Sequence, residues 1–489
     1  MKTTKNRIIS LICAFVMVIA TVAVAASCKK TNDPSDGSDS ASGSVTENDV
    51  LANIPDSDFD GYKFKVLARA GEAYTGEIYD DGTTAEPVNE AVYRRNQILQ
   101  DKYDFEIEVY PVDSDQESAH SDELKRSVAA QDGQYDLGLI HTIAAGTLAA
   151  DGDLYNWNNL PVIDFSQPWW NKQIIDCLEV GRSLYMATND TSIHSMGYAW
   201  GMVFNKNLAE DMQIGEDFYG LVKSGEWTIE KLHSITKGIA DDIDGELGMG
   251  EKDRYGLGIN WWGGTIALMY GMGQMVCERD SEGYPVLNFN TPKTVDIVGK
   301  MYNLMYENES CMSPVYMPNV YTAFMEDRVL ISAIVINELA NLREMNSEFG
   351  VLPLPKYDTN QENYLTMVDG HANMMCIPSY ITNTERHGVI LESLAALSHE
   401  LVVPAYYDVT LQNKNSRDEE SKEMLDIIMG GRTYDFGYLY DIGGLSFMMY
   451  KLMEGRSTNF ISEYMSAEPA AITKIMNLVS TFEQLEQDN

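Results

Sequence analysis

From Tyr62 onward the chain switches between two hydrophobic periods. Residues 62–68 (YKFKVLA) alternate polar and apolar, as a half-buried strand does. Glu86 to Tyr103 has apolar residues at helical spacing and stops before Phe105 to Tyr110 (FEIEVY), a second alternating strand. A helix over 118–131, a short apolar strand at Tyr135 to Ile140 (YDLGLI) and a small-residue helix at Ala144 to Ala150 follow. Strands separated by helices of this length predict a mostly parallel sheet with right-handed crossovers, in which ligands bind beyond the carboxyl ends of the strands. Those ends are Ala68 to Gly71, with Arg69 between them, and His141 with Thr142.

A second α/β block starts near Pro168. Its pattern predicts a strand at Tyr198 to Phe204, a helix at Thr228 to Ile239 and a strand at Tyr255 to Asn260. Helices around 266–271 and 294–306 come next, then a buried strand ending at Ile336 (VLISAIVI) and a short one at Phe349 to Pro355 (FGVLPLP). No internal repeat of roughly 20–50 residues is visible.

Length and charge narrow the picture. A chain of 489 residues can form two or three domains with a sizeable core. Its net charge of −39 argues against nucleic acid or an anionic bilayer as partner. Lys2, Lys5 and Arg7 precede an apolar stretch over residues 8–25 and then Ala25-Ala26-Ser27-Cys28, the layout of a secretory signal peptide over 1–27. The small residues before Cys28 resemble the lipobox of bacterial lipoproteins, in which the cysteine is acylated; an uncleaved membrane anchor is the other reading. Either tethers a soluble domain outside the cytoplasm. Residues 28–56, rich in Ser, Asp and Gly at their start, read as a flexible tether. Removing 1–27 leaves 32 basic against 74 acidic residues, a net of −42. Cys177, Cys277, Cys311 and Cys376 are widely spaced, match no zinc pattern and read as buried thiols or an occasional disulfide.

In order, these blocks resemble the extracellular solute-binding proteins of ABC sugar importers, particularly their long lipoprotein members. Gly133 to Trp157 is similar to the family's strand, cleft residues, helix and Gly-x-Leu segment. Gly201 to Leu208 (GMVFNKNL) resembles its strand ending in Asn-Lys, and Gly225 to Leu232 (GEWTIEKL) its Trp-Thr helix start. Phe324 to Ala333 takes the place of a Phe-x-x-Gly-Lys motif, with Glu326-Asp327-Arg328 in place of the glycine-lysine step, and Gly370 to Pro378 resembles the return strand. The matches run from Tyr62 to Leu478. The resemblance implies an α/β, two-lobed periplasmic-binding-protein-like fold with a hinge and an interlobe ligand cleft. Motif order places the first lobe at 57–166 plus 368–408 and the second at 167–367 plus 409–489. It also implies a monomer, tethered to the membrane by lipid at Cys28, that takes a carbohydrate ligand, an oligosaccharide, to ABC permease subunits and needs no cofactor.

Sugars present hydroxyls in the ring plane and C–H groups on the faces, so a sugar site combines flat aromatic platforms with carboxylates, amides or imidazoles. Tyr198 and Trp200, two apart on one predicted strand, share a face, as do Tyr438 and Tyr440 in GYLYDIGG. Trp261 and Trp262 follow a strand in INWWGGT; on extended backbone they point opposite ways, one to core and one to cleft, with Gly263 and Gly264 allowing close approach. Asp369 and His371 flank the return crossover. Each of these also has a plain reading as core or satisfied surface. Trp169 and Trp170 read as inter-lobe packing.

Asp242, Asp244, Glu246 and Asp253 stand at positions 1, 3, 5 and 12 of an EF-hand-like frame that suits calcium, although Leu247 occupies the glycine position. A solvated acidic turn is the alternative, so a structural calcium is only a candidate. No G-x-S-x-G, H-E-x-x-H, P-loop or G-x-G-x-x-G run sits in a fitting context. The sequence therefore predicts a binding protein and no enzyme. Capture of another solute such as a peptide, or a secreted glycoside hydrolase, are the alternatives.

Overall fold

Burial in the first strand, Tyr62–Arg69, begins as the alternation predicts and then becomes continuous: Phe64, Val66, Leu67 and Ala68 are all fully buried. A strand buried on both sides belongs to the interior of a sheet covered by helices. The computed structural model describes residues 50–113, 118–260, 262–307, 309–312, 320–411 and 419–488. The expected signal peptide, Cys28, most of the tether and Trp261 lie outside them.

In chain order the strands are β1 (Tyr62–Arg69), β2 (Phe105–Val112), β3 (Leu137–His141), β4 (Trp200–Asn205), β5 (Ala240–Asp241), β6 (Arg254–Gly258), β7 (Cys277–Arg279), β8 (Pro285–Leu287), β9 (Val329–Val335), β10 (Phe349–Leu352), β11 (Thr366–Met367), β12 (Asn373–Cys376) and β13 (Arg432–Thr433). The first sheet has the order β12-β3-β1-β2, with β1 parallel to both neighbours and the return strand β12 antiparallel to β3. Helices α1 (Glu72–Thr75), α2 (Pro87–Tyr103), α3 (Ala119–Ala130) and α4 (Thr142–Ala150) lie between its strands or just after them. The second sheet, β10-β4-β9-β6-β5, is mixed: only β6 and β9 run parallel, and the other neighbours pair antiparallel.

The chain passes between the sheets through strands that lie side by side. Ala199 bridges Val368, the Asp369 N–H donates to the Tyr198 carbonyl, and β11 pairs with β13. These adjoining passages are the hinge that a two-lobed fold requires.

The first crossing comes later than motif order predicts. Part of the stretch expected to open the second lobe joins the first instead: Ala187 bridges Met375 of β12. Trp169 and Trp170 explain why. Their indole N–H groups donate to the two oxygens of one buried carboxylate, Glu392, at 2.9 and 3.0 Å. Glu392 lies on α8 (Thr384–Leu397) among first-lobe residues, so the tryptophan pair is a clamp within that lobe and not packing between lobes. The end of the expected second lobe also reaches this sheet's helices: Gly146 of α4 abuts the Leu439 carbonyl so closely that no side chain would fit.

Candidate functional site

The carboxyl end of β1 delivers Arg69. Its guanidinium lies 3.8 Å from the centre of the Tyr74 ring and donates to the His371 carbonyl and, at 3.2 Å, to Asn373 Oδ1. From there aromatic rings follow one another across the passages between the sheets. Tyr74 meets His194 edge-on at 5.4 Å, His194 meets Tyr198 at 5.6 Å, Tyr198 stacks on His371 at 5.9 Å, and His371 meets His141 at 5.4 Å. Four of the chain's seven histidines (His120, His141, His194 and His371) thus gather near one arginine.

Asp369 ties this row to the second sheet. One of its oxygens accepts from the indole of Trp200 on β4 at 3.1 Å, and the other from His371 Nδ1 at 2.6 Å and the His371 backbone N–H at 3.1 Å. Burial works to raise the Asp369 pKa, but the His371 bonds and charge outweigh it and hold the group below the usual carboxylate range. Next to Asp369, Gly370 has no room for a side chain: a Cβ would lie 2.8 Å from the Tyr438 hydroxyl and 3.1 Å from His141 Cε1.

The buried imidazoles are neutral bases. His141 is pushed down to about 3, chiefly by burial and then by the charges of His371 and Arg69. His120 is pushed down to about 4 by burial, with Arg69 adding to it. Its Nε2 accepts the His141 backbone N–H at 2.8 Å, which requires an unprotonated nitrogen there. Burial pushes the Tyr198 phenol up to about 12.

Beside the ring row lies a cavity of about 260 Å³. Glu72, Glu77 and Asn89 line it from one side; His194, Tyr198, Asn337 and Tyr406 line it from the other. Its size falls just below the range of about 300–1,000 Å³ common for small-ligand sites, so a larger occupant requires the lobes to part. Glu77, buried beneath it, accepts from the Ser192 hydroxyl, the His194 N–H and the Asn373 amide, and so fixes the His194 turn to the first sheet.

Several expected site residues are placed differently. Tyr198 does not share a strand face with Trp200: the Ser192 hydroxyl caps α6 (Ile193–Gly197), Tyr198 ends that helix, and only then does β4 begin. Trp200 is 2% exposed and acts through Asp369. Thr142 is fully buried, its hydroxyl donating to the Ala372 carbonyl, so it braces the end of β3. Tyr438 and Tyr440 lie on and just after a short helix, Phe436–Leu439, and do not share a face. The Tyr438 hydroxyl accepts the Gly370 N–H at 3.0 Å, whereas Tyr440 stacks on Phe436 in the core.

Trp262 is half-buried at the start of α7 (Gly263–Gly271), its ring 5.7 Å from Phe447. The glycines that follow admit protein side chains. A Cβ on Gly263 would lie 2.5 Å from the Trp200 ring, and one on Gly264 2.9 Å from Ile259.

The sequence reading passed over Tyr74, Glu77, His194, Asn337 and Tyr406. Tyr74 follows β1 by five residues, so the strand-end rule that selected Arg69 reaches it too. His194 was signalled by the Ser192 cap, while Asn337 and Tyr406 arrive from distant segments with no local signal.

In the acidic loop Asp242, Asp244 and Asp253 converge within 4.8 Å, and Glu246 stands outside the group. The two Asp253 oxygens already accept the N–H groups of Ile243, Asp244 and Gly250, bonds that hold its pKa down. Leu247 is fully exposed where the frame needs a turn glycine. Three of the four expected carboxylates are thus brought together, and backbone donors to Asp253 help to organise the loop.

No protein-family model and no curated protein matches the sequence. Solved structures resemble the fold. The galacto-N-biose/lacto-N-biose I-binding protein of the ABC transporter from Bifidobacterium longum, in complex with lacto-N-biose, is 11% identical over 86% of this chain and 98% of that one, with a TM-score of 0.56. A cyclo/maltodextrin-binding protein complexed with maltotetraose is 14% identical over 87% and 98%, at 0.54. An ABC substrate-binding protein from Listeria monocytogenes, in complex with cycloalternan, is 13% identical over 86% and 99%, at 0.51. The chain has the two-lobed α/β fold of these solute-binding proteins.

Proposed function

We propose that this chain is an extracytoplasmic binding protein, a monomer lipid-anchored at Cys28, that captures a carbohydrate between its lobes and presents it to ABC permease subunits. The observation that carries the reading is the row of rings Tyr74, His194, Tyr198, His371 and His141, which crosses the passages between the sheets beside a cavity lined by carboxylate, amide and phenol groups. Rings that can lie on sugar faces, next to donors and acceptors for hydroxyls, are what an oligosaccharide needs. The sugar-binding names of the similar structures support the same ligand class.

In this reading Tyr74, His194, Tyr198, His371 and Trp262 touch the ligand. Arg69, Trp200, Asp369 and Glu77 position them. Binding shifts the lobes from open to closed, and the closed form is the one the permease recognises. Calorimetry and tryptophan fluorescence against a panel of oligosaccharides, with product analysis of the same samples, test it. Saturable binding without turnover is expected. Released shorter sugars would make the chain a hydrolase, and binding of peptides but no glycan would overturn the ligand class.

A further inference from the structure

A second cavity, of about 530 Å³, shares no lining residue with the one beside the ring row. It lies between α5 (Lys172–Leu178), β7 and the stretch that follows β13, and Cys177, Met275, Cys277 and Phe436 form much of its wall. Its charged groups are satisfied by neighbours, with one exception. Lys172 pairs with Asp176 at 3.1 Å, Glu278 accepts from the Asn288 amide, and Asp435 accepts from the Tyr270 hydroxyl at 2.8 Å and from the N–H groups of Val276 and Cys277. Arg279, on the same face of β7 as Cys277, has no hydrogen-bond or ion-pair partner among the described residues. Arg279 is exposed on the rim of this concave, largely apolar wall, and partial desolvation there lowers its pKa against the opposing charges of Glu179 and Asp176.

We propose that this cavity binds a small organic monocarboxylate, its carboxylate paired with the Arg279 guanidinium and its apolar body against Met275 and Phe436. The fork of an arginine matches a carboxylate in two parallel hydrogen bonds. A single negative charge is favoured because Asp176 and Glu278 on the same wall repel a dianion such as phosphate. The site adjoins the hinge: Thr433 and Tyr434 line it, and the neighbouring Arg432 donates to Ser195 on α6, the helix that carries His194 to the cleft.

Benzoate, with acetate as the carboxylate without a body, is the probe, used on the full chain at about 0.15 M salt to screen the acidic field. Calorimetry is expected to show saturable benzoate binding in the millimolar range, roughly 10-fold weaker binding of acetate, and roughly 10-fold weaker benzoate binding in Arg279→Gln. Cys177, which lines the cavity, should react more slowly with iodoacetamide when benzoate is present, as read by peptide mass spectrometry, and lose that protection in Arg279→Gln. Lys172→Gln, already ion-paired at the rim, should bind benzoate as the parent does. Equal affinity for acetate and benzoate, unchanged binding in Arg279→Gln, or equal losses in both variants would overturn the assignment. None of these outcomes bears on whether the cleft takes a sugar.

Discussion

Glu392 gives the most quantitative test of how the first lobe is held together. The carboxyl group is 2% exposed and is pushed up to about 7, chiefly by burial, against the pull of the Trp169 and Trp170 indoles that donate to it. Its ordinary value is 4.5, so the folded chain keeps a proton that the unfolded chain releases over that interval. A raised folded pKa means stability that is fully present below 4.5 and is lost as pH rises through 7. At about 1.4 kcal/mol per pKa unit, the interval corresponds to about 3 kcal/mol. Glu392→Gln removes this titration and leaves one indole facing an amide N–H, a lost hydrogen bond of about 1–2 kcal/mol. The variant should therefore be less stable than the parent at pH 5 and equal to it or more stable at pH 8. Urea unfolding of both proteins at the two pH values measures the difference, in which every other titrating group cancels. A difference independent of pH would refute the proposed origin of the shift.

Three further outcomes follow from the geometry. Gly263→Ala drives a methyl group into the Trp200 ring and should destabilise the protein by about 1–3 kcal/mol by thermal or urea unfolding. If Tyr198 and Trp262 are sugar platforms, replacing either with Ala should weaken oligosaccharide binding by at least roughly 10-fold in calorimetry with only a small change in melting temperature; a fall in stability alone would return them to the core. Asp253→Asn replaces an acceptor of three backbone N–H groups by an amide and should lower the melting temperature, whereas adding calcium or EDTA to the parent protein should leave it unchanged.

Most of the elements were legible because their periodicity is strong. Pro87–Tyr103 and Val329–Val335 lie within a residue or two of where the pattern puts them, and the Thr228 side chain caps the helix it was expected to start, accepting from the Lys231 N–H. The site was legible only in part. The strand-end rule reached Arg69 and His141, yet Thr142, next in sequence, turns inward, because a helix starting there points its hydroxyl at the return strand. Tyr198 is expected on a strand, and Tyr438 on one face with Tyr440, because alternation over three residues cannot be told from a short capped helix. The role of Trp200 depends on Asp369, 169 residues away, and no local pattern encodes such a contact.

The chemistry at the hinge accords with a neutral ligand in an acidic protein. The chain carries a net −39, yet the two buried carboxylates here, Asp369 and Glu77, direct their oxygens at protein donors and present no bare anion to the cleft. His120 and His141, held down to about 4 and about 3, keep neutral imidazoles throughout the physiological range. Burial and the nearby Arg69 charge act in the same direction on both, so the same arrangement that packs the hinge also fixes the protonation state of its bases. The wall of the cavity offers rings and hydrogen-bonding groups together with the Glu72 carboxylate, which accepts from the Asn89 amide. A polyol asks for donors, acceptors and flat apolar faces, whereas a charged ligand would need an opposite charge to replace its lost hydration. The ring row therefore favours a neutral sugar, and the Arg279 guanidinium, which makes no hydrogen bond or ion pair among the described residues, stands in a different cavity, beside Met275 and Phe436.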